Sequence, residues 1–322
     1  MQTKLKWDPR VLEPVFRELY SMAQENKKDF IPLFYDVVNS EKDMESYEGV
    51  GSGTTFEEWK YSNNQVFYSD VDEMWPVVLK NRKFSGGRQI ERDFIDDLKL
   101  TKIKDLITSL SQDEYRTVQM QASEFLNNAF IGSGANWRGR MESYLGPDGK
   151  PLCAADHPYS PDNSVDVQSN LGNKPLNIDT WDETAVAMQE WKDDQGNPLN
   201  VIPDTIIVAP HNARMAFKIA GLPDPGANFP KYEPGSGNFD ANMYMGNVNV
   251  IVNWFIHPKN RKNWFAADSS RMKRFNKWQW RRRVENGSIT DFNTEVASFK
   301  AVGRWAKGFT NYSFIYGHNV QE

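Results

Sequence analysis

Apolar side chains recur three and four positions apart between Lys104 and Phe130, at Ile107, Leu110, Tyr115, Val118, Ala122, Phe125, Leu126 and Ala129, with no proline or glycine intervening. This period predicts one amphipathic helix. At helical rise it spans about 40 Å, roughly twice the usual globular length, which suits a structural strut. An earlier helix is predicted from Asp8 as cap and Pro9 as first helical residue, carrying Val11, Leu12, Val15, Phe16, Leu19 and Tyr20, although Pro14 sits inside the pattern. The apolar run FIPLFYDVV follows, then polar sequence from Asn39 to Glu58, so residues 1–50 read as an arm with little core of its own.

A different pattern governs Tyr61 to Gly87, YSNNQVFYSDVDEMWPVVLKNRKFSGG, which reads as two extended strands joined by an acidic turn. An isolated two-stranded ribbon is marginal in water. This one carries too few apolar residues for a core, so the expectation is that neighbouring copies of the chain cover it. Beyond the strut, residues 132–175 are rich in Gly, Pro, Asn, Asp and Ser and predict a long irregular connection. Thr180 is then the predicted cap of the helix WDETAVAMQEW, with Glu183 completing a capping box. The buried strand DTIIVAP, the helix NARMAFKIA stopped by Gly221, and the strands VNVIVNW and NWFAAD come next. Helices and strands interleaved in this way predict an α+β or α/β module over 176–285, interrupted by a long loop from Gly221 to Asn247. A hairpin turn is expected at Asn286-Gly287, before the alternating run TEVASFKAVGRWAKGF and a last strand, YSFIYG.

Composition narrows the class. The 322 residues, 39% apolar and 25% charged, fit a soluble globular protein of one large or two ordinary domains. No run approaches the roughly 18 apolar residues of a membrane span. The start, MQTKLKWDPRVLEPVF, lacks a secretion signal's apolar block, and a single cysteine, Cys153, excludes an internal disulfide framework and suits a reducing cytoplasm. A net charge of -5 argues against a surface that embraces nucleic acid everywhere. The unusual total is aromatic, 11 Trp, 12 Tyr and 19 Phe, which supply either a large core or surface buried against partners.

Candidate chemistry is sparse. Cys153 and His157 share a Pro-rich loop without a helix start to activate the thiol, so a packed thiol and a turn histidine are expected. The other histidines, His211, His257 and His318, stand singly without metal-ligand spacing. Asp70, Asp72 and Glu73 lack the glycine and later Glu of a calcium loop. GVGSGT, Gly49 to Thr54, lacks the Gly-Lys-Ser/Thr ending of a phosphate loop and reads as a hinge. No catalytic residue, metal site or cofactor is expected. One cluster stands out: RMKRFNKWQWRRR, with Arg271, Lys273, Arg274, Lys277, Arg281, Arg282 and Arg283 interleaved with aromatics and no acid. It could contact phosphates or pair with acidic segments of neighbouring chains. As a strand, it would send Trp278 and Trp280 to one face and Lys277, Gln279 and Arg281 to the other.

Several segments, in order, resemble the major capsid proteins of tailed bacteriophages with the Hong Kong 97 (HK97) fold, in particular the branch of the Mu-like major head subunit. They are KNRKFSGGRQIERDFIDD, SEFLNNAF, DGKPLCAADHP, SNLGNKPL, AVAMQEWKDDQGNPLNVIPDTIIVAP, NWFAADSSRMKRF and AVGRWAKGFTNYSFIYGHN, and the resemblance extends over roughly 48–319. The resemblance implies an α+β chain divided into an N-terminal arm (1–50), an extended loop (51–92), a peripheral domain (93–175 and 286–322) with the strut as spine helix at about 104–130, and an axial domain (176–285).

By the same resemblance the ribbon is a loop laid across an adjacent subunit. Trp59, Tyr61, Phe67, Tyr68 and Trp75 are its expected contact aromatics, Lys80, Arg82 and Lys83 its charged partners, and Gly51, Gly53, Gly86 and Gly87 its hinges. The implied partners are further copies in pentamers and hexamers, packaged double-stranded DNA, a portal, and decoration or minor capsid proteins, with no membrane. The strut begins about a hundred residues in, which leaves no room for a large N-terminal scaffolding segment, so a separate scaffolding protein is expected. The implied location is the virion, assembled in the host cytoplasm. Nothing local specifies covalent Lys–Asn crosslinks between subunits. Two other readings stay open on the residues alone: an encapsulin-like compartment shell, and a monomeric carbohydrate- or nucleic-acid-binding module.

Overall fold

The predicted first helix forms as α1 (Pro9–Met22), with Pro14 inside it. The structure is a computed structural model that describes residues 9–23, 27–52, 56–59, 61, 65–68, 71, 73–97, 100–136, 138–163, 165–221, 244, 246–291 and 293–321. A single turn at Ile31–Phe34 leads into β1 (Asp36–Asn39), followed by β2 (Met44–Val50), β3 (Glu73–Lys80) and β4 (Arg82–Glu91). The strut is α2 (Leu100–Ala122), 23 residues or about 35 Å at helical rise. It stops eight residues short of the predicted end at Phe130. Ser123 turns its hydroxyl back onto the Gln119 carbonyl at 2.9 Å and accepts the Asn253 side-chain amide at 2.8 Å. A serine bonding back in this way competes with the helical ladder, and only one further turn, Glu124–Asn127, follows.

The later elements are β5 (Leu171–Gly172), α3 (Ile178–Gln189), β6 (Thr205–Val208), α4 (Ala213–Ala220), β7 (Asn249–Val252), β8 (Trp264–Ala267), α5 (Ser269–Phe275), β9 (Asn276–Thr290), β10 (Val296–Phe309) and β11 (Ile315–His318). Asn177, not Thr180, caps α3: its side chain accepts the Thr180 N–H at 2.8 Å, and the Thr180 hydroxyl accepts the Asn177 N–H at 3.0 Å. The capping box is real but starts three residues earlier. Gly221 ends α4 at φ 68°, as its position predicted.

Two sheets organise the chain. The long sheet has the order β1-β9-β10-β4, with β1 parallel to β9 and the other pairs antiparallel. The second sheet, β7-β6-β8-β11-β5, mixes parallel and antiparallel pairs. Its β6 and β8 are apolar and buried on both faces. Ile206, Val208, Trp264 and Ala266 join Trp181, Met188 and Ile219, whereas Ile207, Phe265 and Ala267 join the central core. That is why TIIV and WFAA are continuous runs without alternation. The central core packs the end of the strut and the segment after it, Val118 to Ala129, against Phe30, Phe34, Tyr35, Trp278, Trp280, Trp305 and Phe314.

Several expectations fail here. The first fifty residues are not a free arm: Phe16 and Tyr20 pack on Ile103, Ile107 and Phe299, and Phe30 to Tyr35 lie in the central core. The predicted two-strand pairing within Tyr61–Gly87 also fails. β3 pairs with β2, from Met44↔Lys80 to Val50↔Glu73, while β4 pairs with β10 in the long sheet. Asn286-Gly287 is no turn but lies mid-strand opposite Ala301 and Lys300, and the chain reverses instead between Thr290 and Val296. Strand β9 therefore runs through the expected domain division at 285, and the C-terminal strand β11 completes the second sheet. The expected loop from Gly221 to Asn247 falls mostly outside the described residues.

Candidate assembly surface

The ribbon's base is welded to the body by a polar knot. Gln279, fully buried in β9, donates to the Leu79 carbonyl and to Asn81 Oδ1, both at 3.0 Å, and accepts the Tyr47 hydroxyl at 3.1 Å. Asn81 in turn donates to Ser40 Oγ (2.9 Å) and to the Lys42 carbonyl (3.0 Å). Leu79 closes the contact by lying over Gly308, where a Cβ would stand 2.4 Å from a Leu79 methyl. Farther out the hold is light: the Ser52 N–H donates to Asp194 Oδ1 at 2.9 Å across a cavity of about 560 Å³ walled by Tyr47 to Ser52 on one side and Lys192, Arg271 and Tyr312 on the other. The inner half of the ribbon thus rests on its own chain, a correction to the view that all its cover is borrowed.

The described aromatic residues of the outer half have no such cover. Phe56, Trp59, Tyr61, Phe67 and Tyr68 are all exposed, Phe56 completely, and Val66 and Val71 are exposed beside them. Trp75, set back in β3, is half-buried. So many large apolar groups on one projection mark a surface made to be covered. Of the charged partners, Lys80 and Lys83 are exposed, whereas Arg82 is taken by Glu142 at 2.6 Å. Burial alone would push the Glu142 carboxyl up, but the hydrogen bond and charge of Arg82, with help from Asn136, hold it below its usual range.

The predicted hinges divide. Gly51 lies on the ribbon beyond β2, and Gly53 is outside the described residues. Gly86 and Gly87 are not hinges: both are paired in β4, and at Gly87 a Cβ would meet the Phe299 carbonyl oxygen at 2.9 Å. Glycine is needed there for close approach of two strands, not for bending.

The basic cluster is not one stripe. Residues Arg271 to Phe275 belong to α5, and the rest to β9. Arg271 is half-buried, donates to the Leu199 carbonyl at 3.0 Å, and is pulled down from its usual basicity by burial. Lys273 and Arg274 are exposed, and Arg274 lies over the Phe275 ring. Lys277 pairs with Asp36 at 2.6 Å. Trp278 and Trp280 do share a buried face, but Gln279 is buried too, because the ribbon base covers the other side. Arg281, Arg282 and Arg283 all remain exposed, where register shifts break the alternation.

Of the remaining candidates, Cys153, His157 and His318 lie buried within the fold. Cys153 is buried in the central core, with its thiol pushed up by burial. His157 Nδ1 lies 2.5 Å from buried Asp148, and its ring stacks on Tyr312 at 3.8 Å. Asp70 and Asp72 are outside the described residues, Glu73 is paired in β3, and no acid, His or Cys cluster suited to a metal occurs among the described residues. His318 accepts the Lys174 N–H at Nδ1 (3.2 Å). It gives its Nε2 proton to Thr184 Oγ1 (2.9 Å), whose own proton goes to the Thr180 carbonyl. Both bonds suit the neutral ring, and burial pushes its pKa down to about 4.

Three groups were missed at the sequence level: the knot of Ser40, Asn81 and Gln279, the Glu124–Lys307 pair at 2.5 Å, and Asn170. Fully buried Asn170 accepts the Ala154 N–H and donates to the Leu152 and Ile315 carbonyls. No local signal announces them, since the bonded partners in the knot lie as far as 232 positions apart and the ion pair 183.

Residues 168–256, which hold β5 to β7, match the family described as Mu-like prophage major head subunit gpT. No curated protein matches the chain. Among solved structures, one from Microbacterium phage Oxtober96 superposes with a TM-score of 0.53 at 11% identity, over 95% of this chain and 98% of that one. One from Mycobacterium phage Bobi gives 0.50 at 11%, over 91% and 90%. The HK97-like fold is thereby shown for the chain as a whole.

Proposed function

We infer that this chain is the major capsid protein of a tailed bacteriophage, a structural protein of the virion. The match of residues 168–256 to the major head subunit family carries that reading. The physical features support it. An outer ribbon with five exposed aromatic side chains is a liability for a lone molecule, and a projecting surface for one that assembles. Contacts that are weak singly gain strength when many engage at once in a closed shell.

The finer reading is that copies form pentamers and hexamers around double-stranded DNA in the host cytoplasm, aided by a separate scaffolding protein and joined by a portal and by decoration or minor capsid proteins. The ribbon aromatics Trp59, Tyr61, Phe67 and Tyr68, with Lys80 and Lys83, would face neighbouring subunits. Arg281 to Arg283 would meet either a neighbour or DNA. Expression of the chain with and without the other head proteins of its source, followed by sedimentation and negative-stain microscopy, tests this. Shells or capsomers are expected; a chain that stays monomeric in both cases would refute it.

A further inference from the structure

In a chain with 43 acidic residues among 322, positions 205–221 and 246–267 hold none. The fold brings these two stretches to one end of the second sheet. Val208, the last residue of β6, pairs with Val252 at the end of β7 and with Trp264 at the start of β8, so the turns that follow β6 and β7 leave the sheet side by side. The Asn212 side-chain amide joins them by donating to the Lys262 carbonyl at 2.8 Å. His211 and Arg214 come from the first stretch, His257, Lys259 and Lys262 from the second, and all but the partly buried Lys262 are exposed. Lys28 adds a further cation, its ammonium held 5.4 Å from the centre of the exposed Trp254 ring. Among the described residues no carboxylate pairs with Lys28, Arg214, Lys259 or Lys262, whereas Arg261 between them already has a partner. Asp29, beside Lys28, is taken up by the Ile31 N–H at 3.0 Å and the Gln119 amide at 2.8 Å.

The loop after β7 is fixed in shape by its own chain. Asn127, past the strut's end, accepts the His257 N–H at 2.7 Å on its side chain and the Asn260 amide at 2.9 Å on its carbonyl, and donates to the Phe255 carbonyl at 3.0 Å. His257 Nδ1 accepts the Lys259 N–H at 3.2 Å, which puts the proton of the neutral ring on Nε2, a donor. We propose that this sheet end receives the phosphate backbone of double-stranded DNA and is the face turned to the packaged genome. The choice of duplex rests on the capsid reading. Lys28, Arg214, Lys259 and Lys262 neutralise phosphates, and His257 Nε2 donates to one. A chain of net charge -5 repels DNA over most of its surface, so contact depends on an acid-free face of this kind. Arg281 to Arg283 make a poorer seat, because Glu285 stands 3.8 Å from Arg282. An acidic segment of a second copy also fits less well. Protein interfaces bury an apolar, aromatic centre, and the large exposed apolar groups here are Met215 and Trp254, the latter already lying under Lys28.

Fluorescence anisotropy of a labelled, random-sequence DNA duplex titrated with the full chain tests it. Affinity should fall with salt at a log–log slope of about −3 to −4, as four neutralised phosphates require. Arg214→Gln with Lys259→Gln and Lys262→Gln should weaken binding about tenfold or more and flatten the slope by about 3. Arg214→Lys with Lys259→Arg and Lys262→Arg should keep the affinity within about threefold, since the phosphates are met by charge. Unchanged affinity and slope in the glutamine variant would overturn the proposal. Loss of binding only on Arg281→Gln, Arg282→Gln and Arg283→Gln would overturn it in favour of that stripe. A glutamine variant that keeps the duplex but no longer forms shells would overturn it in favour of a subunit contact. Shells from a parent chain that binds no duplex keep the capsid reading and defeat this inference alone. Salt-sensitive binding that the glutamine variant abolishes, in a chain that never assembles, sustains the face and defeats the capsid reading.

Discussion

His318 shows how a single residue ties pH to stability. The folded ring takes a proton only near pH 4, and the unfolded one near 6.5, so unfolding takes up a proton between those values and stability falls as pH drops through that window. The shift corresponds to about 3 kcal/mol at full effect. His318→Gln should flatten this part of the profile. Urea midpoints at pH 7 and pH 4.5 check it; an unchanged slope in the variant would mean that another group carries the effect. Glu142 acts in a lower window. Its depressed carboxyl contributes stability above the ordinary Glu range, and that contribution is lost as pH falls through its folded value.

At the scale of elements, the strut's end is fastened to β10 by Glu124 and Lys307, at 2.5 Å and largely buried. Burial pushes the Lys307 amine down while Glu124 opposes the shift, so the ammonium depends on its partner. Glu124→Gln should cost about 3–5 kcal/mol by stranding that charge, and Glu124→Met with Lys307→Met should recover most of it. Denaturation of the four-member mutant cycle would show this as a strong coupling; additive losses would refute it. The strut itself was readable because its apolar period continues for six turns. Its stop at Ser123 was not, since serine is tolerated within a helix until a distant residue such as Asn253 engages its hydroxyl.

At the scale of the molecule, stability and assembly are carried by different aromatics. Trp181, Trp264 and Trp278 are fully buried, whereas Phe56, Trp59 and Tyr68 touch little of their own chain. Replacing those three together, Phe56→Ser, Trp59→Ser and Tyr68→Ser, should leave the subunit's thermal midpoint nearly unchanged, within about 0.5 kcal/mol per site as for exposed positions, while abolishing shells in sedimentation. A matching drop in thermal stability would place these rings in the subunit's core instead.

Periodic patterns and local chemistry determined the strut, the buried strands TIIV and WFAA, the Gly221 helix stop and the α+β class, because each rests on residues a few positions apart. The segment resemblances carried the capsid reading in the same way. The tertiary structure alone decided which strand pairs with which. Met44 to Val50 is a plausible partner for β3 only once Gln279 has anchored Asn81 and Leu79, and NG at 286–287 is a turn until β10 lies alongside it. Which strands pair is chosen by burial and hydrogen-bond satisfaction summed over the whole chain, which no local window contains.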